Sequence, residues 1–194
     1  MTVEAHLATL LDELRAEHRN TARLLNALEH QIEITAQAGQ PDYELILSIA
    51  DYFCDYPDRC HHPKETAIFE QLRVEYPQEA EAVGDLGHEH VDTHERVHQF
   101  RQLIRGLLKE AIVPRSNVVD AARDFIEAER RHMHMEEERF FPVAEKCLRS
   151  EDWLRIHHDL TKDRDPAIFD QIEDEFGELR ERLLEWEKDY ITDA

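Results

Sequence analysis

The chain has 194 residues, enough for one well-buried core and too few for two large domains. Forty-four acidic residues against twenty-three basic ones give a formal charge of −21, which repels phosphate backbones and anionic membrane surfaces and excludes nucleic acid as a partner class. Glycine and proline are sparse, and apolar residues recur at three-and-four spacing, so the composition predicts an all-α protein.

The first predicted helix runs from Val3 to Ala38, before the Gly39-Gln40-Pro41 stop. Its apolar stripe reads Leu7, Leu11, Leu14, His18, Leu25, Leu28 and Ile32, which puts a histidine at a core position. The second begins with Asp42 as N-cap and carries Tyr43, Ile46, Ile49, Ala50 and Phe53. Pro57 and Pro63 must kink or interrupt it, because each lacks an N–H and crowds the carbonyl four residues back, and the helix then resumes to about Tyr76.

The third helix is expected from Pro77 to about Val113, with a stripe through Val83, Leu86, His90, His94, Val97, Ile104 and Leu108. The fourth starts near Pro114, capped by Ser116 or Asn117, and its stripe is Val118, Ala122, Phe125, Glu129, His132, Glu136, Phe140, Val143 and Cys147. Short connections between long helices make antiparallel neighbours, so residues 1–149 form an up-down-up-down four-helix bundle. Residues 150–194 form a C-terminal helical extension: a short turn from Ser150 through Trp153, then a helix from Pro166 to about Tyr190. The stripe of that last helix, Phe169, Ile172, Phe176, Leu179, Leu183, Trp186 and Tyr190, requires cover, either on its own bundle or in a homodimer.

No stretch has the apolar length of a membrane span, and the N-terminus lacks a basic segment followed by an apolar run. Three cysteines, Cys54, Cys60 and Cys147, have no CxxC spacing. A cytoplasmic protein with free thiols and no membrane partner is expected.

The unusual component is histidine, with thirteen in the chain. His18 precedes the His61-x-x-x-Glu65 unit by 43 residues, and His90 precedes the His132-x-x-x-Glu136 unit by 42 residues. The plan is repeated: one inward histidine, a turn, then a returning helix with inward His-x-x-x-Glu. Residues four apart share a helix face, so two facing hairpins bring four histidines and two glutamates to one level. Imidazole and carboxylate together suit iron, and two glutamates can each bridge a pair of ions. Buried carboxylates without a cation would be costly.

These residues resemble hemerythrin and the wider HHE cation-binding family, which includes repair proteins for iron centres and iron-sensing domains. The resemblance covers about His6 to Leu148. It is carried by Glu17-His18, Tyr56-Pro-Asp-Arg-Cys-His-His-Pro-Lys-Glu65, Glu89-His90 and Arg131-His-Met-His-Met-Glu-Glu-Glu-Arg-Phe-Phe-Pro142. It implies two iron ions held by His18, His61, Glu65, His90, His132 and Glu136. His90-x-x-x-His94 matches the paired histidines of hemerythrin's third helix, which implies His94 as a fifth histidine ligand. With an oxo or hydroxo bridge, that residue fills one iron's sixth position and leaves the other iron open to O2, NO or peroxide. His62 is expected behind the ligands, and His88, His98 and His134 toward solvent.

Hemerythrin closes its fourth helix with an aspartate five residues after the histidine, whereas Glu136 follows His132 by four, as in the repair and sensing relatives. The expected function is therefore binding or sensing of O2, NO or iron. The alternative is an enzyme acting on peroxide or NO, or an iron donor for repair of damaged centres. A ferritin-like carboxylate site is the competing architecture, since Glu129-x-x-His132 fits its Glu-x-x-His unit, but the first and third helices present histidines where that site needs glutamates.

Overall fold

The computed structural model describes residues 3–162 together with Phe176, Leu179, Arg182 and Leu183. The described residues are helical, and the chain is an all-α four-helix bundle of up-down-up-down topology. Helix α1 (Val3–Ala36) is followed by α2 (Tyr43–Tyr56), a π-helical turn (Pro57–His61) and α3 (His62–Glu75). After α4 (Pro77–Val83) come α5 (Leu86–Leu108), α6 (Arg115–Met135), a second π-helical turn (Glu136–Phe140), α7 (Phe141–Cys147) and α8 (Ser150–Lys162).

Local chemistry accounts for most of the boundaries. Asp42 caps α2 by accepting from the Leu45 N–H at 2.8 Å. α1 ends two residues before the expected Ala38, which itself takes the left-handed turn at φ 62° while the Gly39 N–H donates to the Ile34 carbonyl at 2.9 Å.

The third arm is two helices, not the continuous Pro77-to-Val113 helix expected. Gly84, at φ 109°, breaks it with a conformation open to glycine, and Asp85 caps the restart by accepting from the His88 N–H at 3.1 Å. At the start of α6 the expected side-chain cap does not form, because the helix begins at Arg115 with Pro114 ahead of it.

Both π turns have the same origin. Pro63 and Pro142 stand two residues beyond the ends of the turns, and each crowds the carbonyl four residues back, at Arg59 and Glu138, inside the turn. The helix widens there. The His62 N–H reaches the Pro57 carbonyl and the Phe141 N–H reaches the Glu136 carbonyl, both five residues back. The helix expected to kink at Pro57 and resume does so through this turn.

The core is two apolar clusters separated by a polar layer. One contains Leu25, Leu28, Ile46, Ile49, Phe100 and Phe125, and the other Leu14, Ile68, Leu72, Phe140, Phe141 and Trp153. In every arm the predicted site residues fall between them: His18 after Leu14, His61 and Glu65 before Ile68, His90 after Leu86, and His132 and Glu136 before Phe140.

α8 is longer than the single turn expected after Ser150, and it buries Trp153 and Ile156 in the second cluster. Leu179 and Leu183 are buried against the first cluster, and Phe176 packs edge-on against Tyr52 at 5.1 Å. The rest of the last predicted helix, including Phe169, Ile172, Trp186 and Tyr190, lies outside the described residues, as does the Leu7 side chain.

Candidate metal centre

Six residues meet in the polar layer. Glu65 and Glu136 are fully buried, and His18, His61 and His132 nearly so. Glu65 Oε1 lies 3.1 Å from His61 Nε2 and 3.9 Å from His18 Nε2, while its Oε2 lies 3.3 Å from His90 Nε2. Glu136 Oε2 lies 3.2 Å from His18 Nε2, and its Oε1 lies 3.2 Å from His132 Nε2 and 3.7 Å from His90 Nε2. Each carboxylate therefore turns one oxygen to the His18–His61 pair and the other to the His90–His132 pair.

These contacts are close without being hydrogen bonds. All four carboxylate oxygens, His90 Nε2 and His132 Nε2 are buried with no hydrogen-bond partner. Leaving so many polar atoms unmatched in one layer costs on the order of 1–3 kcal/mol each, more for charged groups. A cation shared among them removes that penalty, so the donor set fits metal ions. The two groups, His18, His61, Glu65 and Glu136 on one side and His62, Glu65, His90 and His132 on the other, each gather ligand atoms within 4.8 Å of one another.

The outward ring nitrogens fix the tautomers. His18 Nδ1 donates to Glu137 Oε1 at 2.9 Å, His61 Nδ1 to Glu17 Oε2 at 2.7 Å, and His132 Nδ1 to Glu89 Oε2 at 3.1 Å. With Nδ1 protonated, the Nε2 lone pairs point inward, and His18 Nε2 and His61 Nε2 face each other at 3.1 Å. Two opposed lone pairs need a proton or a metal ion between them. Glu17 also accepts from Lys64, which holds it in place.

This supporting shell repeats like the ligands. The glutamate preceding the single histidine of each hairpin serves the histidine of the returning helix: Glu17 serves His61 and Glu89 serves His132. The Glu17-His18 and Glu89-His90 dipeptides are visible in the sequence, but the role of their glutamates appears only in the structure.

Titration behaviour follows from the same crowding. Burial alone would push the His132 imidazole down, but the carboxylates around it, Glu136 foremost, lift it to about 9. His61 rises well above its ordinary value against the pull of burial, through Glu65 and Glu17. Burial raises Glu65, yet His61 and His90 hold it well below the carboxylate range.

The family model of the hemerythrin HHE cation-binding domain matches residues 9–144. The chain belongs to that family. Comparison with curated proteins and with solved structures gave no significant match. The matched region spans all four arms of the bundle, from α1 into α7, and encloses the whole His/Glu layer.

Of the seven residues expected at the site, six meet in that layer. His94 stands apart from both groups: its side chain is 37% exposed and its Nδ1 lies 2.9 Å from Asp58 Oδ2. In α5 the inward positions are Thr93, Val97 and Phe100, which turns His94 toward the bundle edge and leaves Leu108 exposed. His62, expected behind the ligands, belongs to the second group. Glu129 is buried beside the layer and its pKa is raised by burial.

Cys54 and Cys60 are buried, and burial pushes the Cys54 thiol up to about 12, so Cys54 is an inert core residue. No helix among the described residues is long and apolar enough to cross a membrane.

Proposed function

We propose that the protein holds two non-haem iron ions, one on His18 and His61 and one on His90 and His132, with Glu65 and Glu136 bridging both. The observation that carries this reading is the division of each glutamate's two oxygens between the two histidine pairs. A single-ion site has no use for two carboxylates turned in this way. Iron in such a site supplies reversible electron exchange and an exchangeable coordination position.

The physiological activity that suits the site best is binding or sensing of O2, NO or iron. A narrow cavity lined by His18, Tyr52, Tyr56, His61, Glu129 and His132 reaches the layer and has room for about one water-sized molecule. That size favours a small ligand over a substrate of many atoms. The chain's own residues orient the donors through Glu17, Glu89 and Glu137, and the apolar clusters on either side keep bulk water out.

Metal analysis with an optical spectrum tests the reading. About two irons per chain are expected, with charge-transfer absorption in the near ultraviolet after exposure to air. His132→Ala and Glu136→Ala should each lose at least one iron; unchanged iron content in both variants refutes the site. Turnover of peroxide or NO by the iron-loaded protein would favour the enzymatic alternative.

A further inference from the structure

We infer that Glu129 selects the small molecule that reaches the layer, as a hydrogen-bond acceptor for a protic oxygen ligand, hydrogen peroxide, in preference to nitric oxide. The inference rests on the metal centre proposed above and names the class of its ligand.

Glu129 continues the buried face of α6, in step with Ala122, Phe125 and His132. Its carboxyl feels the charges of His132, Glu136, His61 and His18, so it is turned to the layer. It nevertheless belongs to neither donor group, and among the described residues it forms no hydrogen bond or ion pair. The residue is 8% exposed. A buried carboxyl without a partner is costly, and an apolar side chain at this position of the core face would avoid the cost. The carboxyl suits a partner that the protein itself does not supply.

The narrow cavity gives that partner its place. Glu129 lines it together with His18, His61 and His132, and there is room for about one water-sized molecule. Burial foremost, with Glu129 among the charges nearby, holds the phenol of Tyr52 on the same wall well above its ordinary pKa. A second small cavity shares Pro57, His62 and Glu129 with the first and reaches Asp58 and His94 at the bundle edge. On the shared wall His62 is already engaged, since Asp58 Oδ1 accepts from its Nδ1 at 2.9 Å. Glu129 therefore stands between the edge and the layer, where a small molecule entering by this route meets it.

The chemistry of the acceptor decides the ligand class. Burial raises the pKa of Glu129, which makes its carboxylate a stronger acceptor, and a protonated carboxyl keeps an accepting oxygen. Hydrogen peroxide donates an O–H to either form. Nitric oxide has no proton to donate and leaves the carboxylate unpaired.

The test compares the full chain with Glu129→Leu, which removes the acceptor at similar volume, and Glu129→Gln, whose amide oxygen restores one. Each chain is loaded anaerobically with ferrous iron, and its metal content, its second-order rate of oxidation by hydrogen peroxide and its dissociation constant for nitric oxide are measured. Glu129→Leu should react with peroxide at least about tenfold more slowly, as loss of a hydrogen bond to a charged group implies, while Glu129→Gln stays within about threefold of the parent. Metal content and nitric oxide affinity should match the parent in both. A crystal structure of the zinc-loaded chain should show a water in the cavity donating to a Glu129 carboxyl oxygen at about 2.5–3.0 Å.

The inference is overturned if Glu129→Leu keeps the parent's peroxide rate, if it weakens nitric oxide binding to the same degree, or if Glu129→Gln falls as far as Glu129→Leu. Loss of a metal ion from either variant, or a Glu129 oxygen on zinc in the crystal, also overturns it, because Glu129 is then a ligand. A parent chain that holds one iron contradicts the bridged pair alone, since the peroxide rate set against nitric oxide affinity still decides the role of Glu129. A parent that takes up no metal overturns both.

Discussion

Glu136→Gln should abolish most of the stability that metal gives this protein. The carboxylate is fully buried and turns Oε2 to His18 and Oε1 to His132 and His90, so on the two-ion reading the substitution weakens a donor of both centres at once. An ion present at about 100 times its Kd stabilises the folded chain by ~2.7 kcal/mol, and two ions by ~5 kcal/mol. For a chain of this size, where 1 kcal/mol moves Tm by ~2–4 °C, metal should raise the melting temperature by ~10–20 °C. If both affinities fall by about 100-fold, the remaining stabilisation is ~0.4 kcal/mol per ion, a rise of only a few degrees. The assay is thermal unfolding by circular dichroism, each chain measured with ferrous iron under anaerobic conditions and again with chelator. Comparing each chain with its own chelated form cancels any packing cost of the substitution. A Glu136→Gln chain that keeps the parent's metal-dependent rise would refute the bridging role.

The metal-free protein should lose stability as pH rises. His132 titrates near 9 when folded and near its ordinary value when unfolded, so its contribution is full below about 6.5 and lost as pH passes 9, which denaturant midpoints of chelated protein at both pH values would register. Trp153→Ala should cost about 3–5 kcal/mol, because the side chain is 2% exposed in the second cluster; an effect under about 1 kcal/mol would show that α8 adds nothing to the bundle. Asp42→Ala should cost about 1 kcal/mol in urea unfolding through loss of the α2 cap, with metal content unchanged, since the cap lies far along the bundle from the His/Glu layer.

The sequence made the fold class readable because apolar spacing, Pro and Gly act locally. The stripe of α1 from Leu11 to Ile32 is buried as its period requires, and Asp42 caps α2 where the pattern began. The third arm was misread because Gly84-Asp85 sits inside an otherwise continuous stripe, and only the positive φ of Gly84 and the cap at Asp85 show that the chain stops and restarts there.

In the site, the repeat of one histidine followed by His-x-x-x-Glu located the six residues of the layer, because i and i+4 share a face. His94 falls outside the layer and His62 lies beside it for two reasons of helix phase. Thr93 holds the inward position of α5 that spacing from His90 gave to His94, and the π turn before His62 displaces a face count made at 3.6 residues per turn. The signal for that turn is Pro63, which predicts a kink or interruption but carries no information on the change of phase. The roles of Glu17, Glu89 and Asp58 depend on contacts between different arms or across the π turn, which periodicity along one helix does not reveal.

The number of ions that the His/Glu layer holds decides between a bridged pair and a single-ion site. Purified chain, reconstituted anaerobically with ferrous iron and freed of excess, should contain two irons, and Mössbauer spectra after oxidation should show a magnetically coupled ferric pair. One iron per chain, or two that behave as isolated ferric ions, would contradict the assignment of Glu65 and Glu136 as bridges.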